Sequence, residues 1–122
     1  MPFVNIAILA GKSTQYAKAV ANGVNEAAIG ALDFPEDDRY QLITEYAEHA
    51  LQLQTRTGDR VMLSLVMRAG KTDAQKKAFY RQVVDKLSVD PGIEPHNMMI
   101  TIVENRDIDW SFADGQASFI ER

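Results

Sequence analysis

"ILAGKST" (8–14) and "VMRAGKTD" (66–73) carry the same turn twice. Ala10-Gly11-Lys12 and Ala69-Gly70-Lys71 stand 59 residues apart, and each is followed by Ser or Thr. The flanks match as well. "FVNIAIL" (3–9) precedes the first turn and alternates partly between apolar and polar residues. "VMLSLVM" (61–67) precedes the second and is almost continuously apolar, which suits a strand covered on both faces. A helix is expected after each turn. Ser13 or Thr14 supplies the first cap, and Thr72 the second, with Gln75 three residues on to close a capping box. Val20, Val24, Ala27, Ala28 and Ala31 fall on one stripe of the first helix. Phe79 or Tyr80, Val83, Val84 and Leu87 form the stripe of the second. A proline-containing turn follows each helix, at Pro35 and Pro95, and a further strand closes each unit, "YQLITEY" (40–46) and "MMITIVE" (98–104).

The chain therefore reads as β-α-β twice. The expected fold is α+β: two tandem β-α-β units, 2–46 and 61–105, forming one mixed four-stranded sheet with two helices on one face. The expected organisation is one domain over 1–122, with 106–122 as a tail. The stretch between the units, "AEHALQLQTRTGDR" (47–60), is mostly polar and reads as a long loop or small hairpin. Helices on one face leave the other face of the sheet bare. Its apolar residues need burial, and association with other copies of the chain is the plainest way to supply it.

Composition narrows the function. The 122 residues are 46% hydrophobic, enough for a real core. The net charge of -4 disfavours nucleic-acid and anionic-membrane surfaces, both of which reward basic proteins. There is no cysteine, so thiol catalysis and disulfides are excluded. His49 and His96 lie far apart in sequence, so no structural zinc site is expected. No apolar run approaches about 18 residues, and no basic stretch precedes an apolar one at the N-terminus. No membrane span or signal peptide is expected, and the cytoplasm is the expected compartment.

With this framework in place, the sequence resembles the tautomerase superfamily, whose members begin with a catalytic proline and are built from β-α-β units. The stretches "PEDDRYQ" (35–41), "QKKAFY" (75–80), "GIEPHNMMITIVEN" (92–105) and "DWSFADGQASF" (109–119) are most similar to its malonate semialdehyde decarboxylase group. Only the 47–60 loop has no clear counterpart. The resemblance implies a cofactor-independent, metal-free enzyme. It also implies a homotrimer with three active sites, in agreement with the bare sheet face read from patterning.

The resemblance also gives residues roles. Met1 precedes a small residue and is expected to be removed, which would leave Pro2 as a free secondary amine. An α-amino group titrates near pH 8. Apolar burial would keep it neutral, fit to move a proton alpha to a carbonyl; a carboxylate within about 4–6 Å would keep it cationic, fit to polarise a carbonyl. Asp38 is the carboxylate the resemblance places with the proline, and it favours decarboxylation or hydration. Arg68, at the end of the third strand, is implied to bind the substrate carboxylate through its planar fork. The group usually presents two arginines here. This sequence has "RAGKT", with Lys71 in the second position. Lys12, its repeat mate, stands where short tautomerases carry a substrate-binding arginine. Trp110, Phe112 and Phe119 are implied to wall the site and exclude water. His49 and His96 are expected at the surface. The expected substrate is a small keto- or semialdehyde-carboxylate, processed by decarboxylation or hydration. The alternatives are keto-enol tautomerisation of 2-keto acids such as phenylpyruvate, and a non-catalytic trimeric binding protein.

Overall fold

The computed structural model describes residues 2–121. Four strands, β1 (Phe3–Leu9), β2 (Tyr40–Tyr46), β3 (Val61–Arg68) and β4 (Met98–Asn105), form one sheet in the order β2-β1-β3-β4. Each outer strand runs parallel to its inner neighbour, and the two inner strands are antiparallel. This is a four-stranded mixed sheet made of two β-α-β units placed head to tail. The helices are α1 (Thr14–Leu32) and α2 (Asp73–Val89). None of the described helices is long and apolar enough to cross a membrane.

The two turns that begin "AGK" work as their sequence implies. Gly11 and Gly70 have φ of +88° and +134°, and no atom approaches where a Cβ would stand. Backbone conformation, rather than lack of space, calls for glycine there. The cap of α1 is Ser13, whose side chain accepts from the Tyr16 N–H at 3.1 Å, so Thr14 is the first helical residue. Thr72 caps α2 in a complete capping box with Gln75.

The core lies between the helices and one face of the sheet. Val4, Ile6 and Ile8 of β1 and Val61, Leu63, Leu65 and Met67 of β3 point into it. The predicted stripe of α1 is buried throughout. In α2, Phe79, Val83 and Leu87 are buried, whereas Tyr80 and Val84 are not. Full burial of a side chain such as Phe79 contributes about 3 kcal/mol from its apolar surface.

The continuous apolar run of β3 is covered within the chain on one face only. Met62, Ser64, Val66 and Arg68 alternate with the buried residues and are half-buried by neighbouring strands. The same outer face carries Leu42 and Tyr46 of β2 and Met99 and Val103 of β4, with Leu42 55% exposed. Tyr46, Met62 and Met99 of this face line a partly open hollow of about 270 Å³ with Asn5, Ala7, Thr44, Ser64 and Thr101.

The 47–60 stretch is a loop with one 3-10 turn at Glu48–Ala50, not a hairpin. Its polar letters conceal an internal anchor. Arg60 is only 4% exposed, and its guanidinium donates to the carbonyls of Leu51, Gly58 and Glu48 and to the Glu48 carboxylate. Leu51 and Leu53 are buried beside it.

Candidate active site

Sheet topology collects the site residues. Phe3 pairs with Tyr40 on one side and with Val66 on the other. The start of β1, the start of β2 and the ends of β3 and β4 therefore meet at one end of the sheet. Pro2, one residue before Phe3 at this end, is buried. Asp38 lies two residues before β2, and Arg68 is the last residue of β3. The expectation that Met1 is removed concerns a residue outside those described.

A partly open hollow of about 560 Å³ occupies this end, lined by Asp33, Phe34, Pro35, Asp38, Arg68, Ala69, Gly70, Lys71 and Phe119. Asp33 ends α1 in the left-handed conformation, φ +60°, and so turns Phe34 and Pro35 toward the hollow. The Asp38 N–H donates to the Pro35 carbonyl at 3.2 Å, and the residue is 9% exposed. The Arg68 guanidinium carbon lies 3.7 Å from the centre of the Phe119 ring, and Nη1 donates to Asp107 Oδ1 at 3.2 Å. Lys71 Nζ stands 4.9 Å from the centre of the Phe34 ring. Aromatic faces attract such cations without neutralising them. One hollow thus gathers the cations Arg68 and Lys71 with the carboxylic side chains of Asp33 and buried Asp38, an arrangement that can hold and orient a small polar molecule.

The tail that follows β4 forms the aromatic wall. Trp110 stacks on Phe112 at 5.2 Å, and Phe119 meets both edge-on at 6.5 and 5.5 Å. The Trp110 indole N–H donates to Asn105 Oδ1 at 2.6 Å. Ser118 closes the tail on itself, taking the Phe112 N–H on its hydroxyl and donating its own N–H to the Trp110 carbonyl. The wall has two sides. Phe119 faces the hollow of Arg68, whereas Trp110 and Phe112 line an adjoining one of about 490 Å³ with Phe3, Arg39, Tyr40, Gln41, Leu42 and Ser111. Trp110 and Phe112 thus stand one ring removed from the cations.

Lys12 is elsewhere. Its turn lies at the opposite end of the sheet, where it pairs with Asp59 and stands 5.4 Å from the centre of the Tyr16 ring. Partial burial, with Asp59 nearby, pushes the Tyr16 hydroxyl up to about 12. His49 and His96 are exposed.

Three residues of the site carried no recognisable signal. Phe34 follows the helix end, where an apolar residue commonly packs back on the core. Asp107 is one of several acids in its stretch. Asn105 had a place in "VEN" but no role. Its neighbour Glu104 accepts from the Gly70 N–H and from Lys76 Nζ at 2.7 Å, which holds its carboxyl below the usual range and raises the lysine.

Comparison with known proteins bears on the fold and the family. Two family models, both described as tautomerase enzymes, match residues 38–113 and 2–57. A probable tautomerase of Bacillus subtilis, YusQ, is 30% identical over 128 residues, covering 99% of this chain and all of the relative. A solved malonate semialdehyde decarboxylase, described with decarboxylase and hydratase activities, superposes with a TM-score of 0.88 at 28% identity, covering 97% of this chain and 95% of that one. A fused 4-OT in a symmetric trimer superposes at 0.84 and 17% identity over 98% and 99% of the two chains.

Proposed function

Because the chain belongs to the tautomerase family, we propose that it acts through a free Pro2 amine on a small keto- or semialdehyde-carboxylate, as a decarboxylase and hydratase. The observation that carries this reading is the hollow in which Arg68 and Lys71 face the same space as buried Asp38. In the proposed reaction Arg68 holds the substrate carboxylate by its fork, with Lys71 adding charge. Asp38 keeps Pro2 cationic, and the prolinium N–H polarises the aldehyde oxygen. The bond between the carboxylate carbon and the alpha carbon then breaks. Its electron pair moves into an enolate stabilised by the prolinium, carbon dioxide leaves, and protonation at the alpha carbon gives the aldehyde. The aromatic wall excludes water from the reacting carboxylate, whose charge disperses as the bond breaks.

The second reading is keto-enol tautomerisation, with Pro2 neutral and shuttling a proton. Lys71 in place of a second arginine favours it, as does likeness to a relative named a probable tautomerase. The Pro2 pKa separates the two readings. Titration of a ¹⁵N-labelled amine is expected to give a value above neutrality for the decarboxylase and at or below neutrality for the tautomerase. Turnover of malonate semialdehyde and phenylpyruvate by wild type and Pro2→Ala completes the test. Absence of Pro2-dependent turnover with either would leave a binding protein.

The same reading includes a homotrimer built on the open sheet face. The exposure of Leu42, Met99 and Val103 supports it, as does likeness to a trimeric neighbour. Sedimentation that returned a monomer would remove it.

A further inference from the structure

We propose that Asn105 is a positioning residue that ties the Arg68–Lys71 turn to the Trp110 wall; the proposal builds on the site reading above. Two segments of the site, the turn after β3 and the tail after β4, share no local sequence. Both are fastened at the last residue of β4. The Asn105 carbonyl accepts the Ala69 N–H at 2.8 Å, fixing the residue next to Arg68. Its side-chain oxygen accepts the Trp110 indole N–H at 2.6 Å.

The second bond matters because Trp110 is only 9% exposed. A buried indole N–H needs an acceptor, and leaving it without one is costly. From Trp110 the geometry passes through ring contacts to Phe112 and Phe119, and Phe119 lies under the Arg68 guanidinium. Asn105 therefore stands at both ends of a closed loop: through Ala69 it touches the backbone beside Arg68, and through Trp110 it sets the ring on which Arg68 rests. Loss of its side chain should let the wall drift and loosen the fork. Asn105 itself touches no reacting atom in this scheme.

Trp110 is the sole tryptophan of the chain, so its emission reports on the bond directly. The test compares Asn105→Ala, Asn105→Leu and Asn105→Asp. In the Ala and Leu proteins the emission maximum is expected to move to longer wavelength, and acrylamide quenching to rise severalfold. KM for the Pro2-dependent substrate is expected to rise about five- to tenfold, the size of one lost hydrogen bond, with kcat within about twofold. An aspartate side chain retains an oxygen acceptor, so the Asn105→Asp protein should return emission and KM toward wild type. Wild-type emission and quenching in the Ala and Leu proteins would overturn the proposal. So would an Asp protein, folded by circular dichroism, that is as impaired as the Leu protein. If the Ala protein does not fold, the Leu and Asp pair decides. If wild type turns over no substrate, the functional reading falls, and emission and quenching still decide the role of Asn105.

Discussion

The two ends of the sheet are built alike and finished differently. Shifting by the 59 residues between the AGK turns, Lys71 corresponds to Lys12, Asp38 to Asn97, Arg68 to Leu9, and Trp110 and Phe112 to Leu51 and Leu53. Pro2 corresponds to Val61, so a residue that begins a strand at one end is mid-chain at the other. At the Pro2 end Arg68, Lys71, Asp33 and Asp38 surround open space. At the other end the polar groups bind the chain itself. Arg60 donates to backbone carbonyls, Asn97 donates to the carbonyls of Thr57 and Asp59 at 2.8 and 3.0 Å, and Lys12 pairs with Asp59. Similar polar side chains make a candidate site where they face open space, and a structural clamp where backbone carbonyls take them up.

The comparison breaks most visibly at the proline. Pro2→Ala is expected to lower turnover more than about 10²-fold, the range for loss of a general acid or base, while urea unfolding changes little. Steady-state kinetics on the matured protein measure it. Arg60→Met tests the opposite end. It removes the donor to the carbonyls of Leu51, Gly58 and Glu48 and is expected to lower unfolding free energy by about 3 kcal/mol, read from urea midpoints, with kcat/KM unchanged. Equal damage to activity would erase the distinction between clamp and site.

Arg68→Lys sharpens it further. The charge remains but the fork is lost, so KM for a carboxylate substrate should rise about tenfold with stability intact. The smallest effect lies beside Lys12. The Tyr16 hydroxyl titrates higher in the folded protein than in the unfolded chain, so between pH 10 and about 12 the unfolded state sheds the proton first. Stability should be full below pH 10 and fall across that window, by roughly 1 kcal/mol after allowing for solvent screening at this half-exposed ring. Tyr16→Phe should flatten that part of the profile, as alkaline denaturation would report.

These contrasts explain what was legible in the letters. The AGK turns, the stripe of α1 and the capping box are local patterns that appear where the sequence places them, whereas the stripe of α2 narrows to Phe79, Val83 and Leu87. The gathering of Asp38, Arg68, Lys71 and Phe119 around one hollow also follows the resemblance. The clamp at Arg60 was invisible for a physical reason: its acceptors are mainly backbone carbonyls, and every residue has one. Asn97 bonds residues 38 and 40 positions away, and Asn105 reaches across its own turn to an indole. In β3 the apolar run reads as two-sided cover, whereas the chain itself buries only alternate residues of the strand.

The antiparallel pairing of β1 with β3 has a consequence for how the chain is made. Phe3 meets Val66, so the centre of the sheet joins the start of one unit to the end of a strand in the other. A nascent chain that has released only the first unit holds two parallel strands and one helix, with the inner edge of β1 unpaired. Leu87 of α2, which seats against Gly23 of α1, has not yet been synthesised. Long-range pairing of this kind delays closure until distant segments are present. The repeat that is so plain in the sequence is therefore not a repeat of folding units. Both halves should become resistant to protease together, late in synthesis, as one cooperative event.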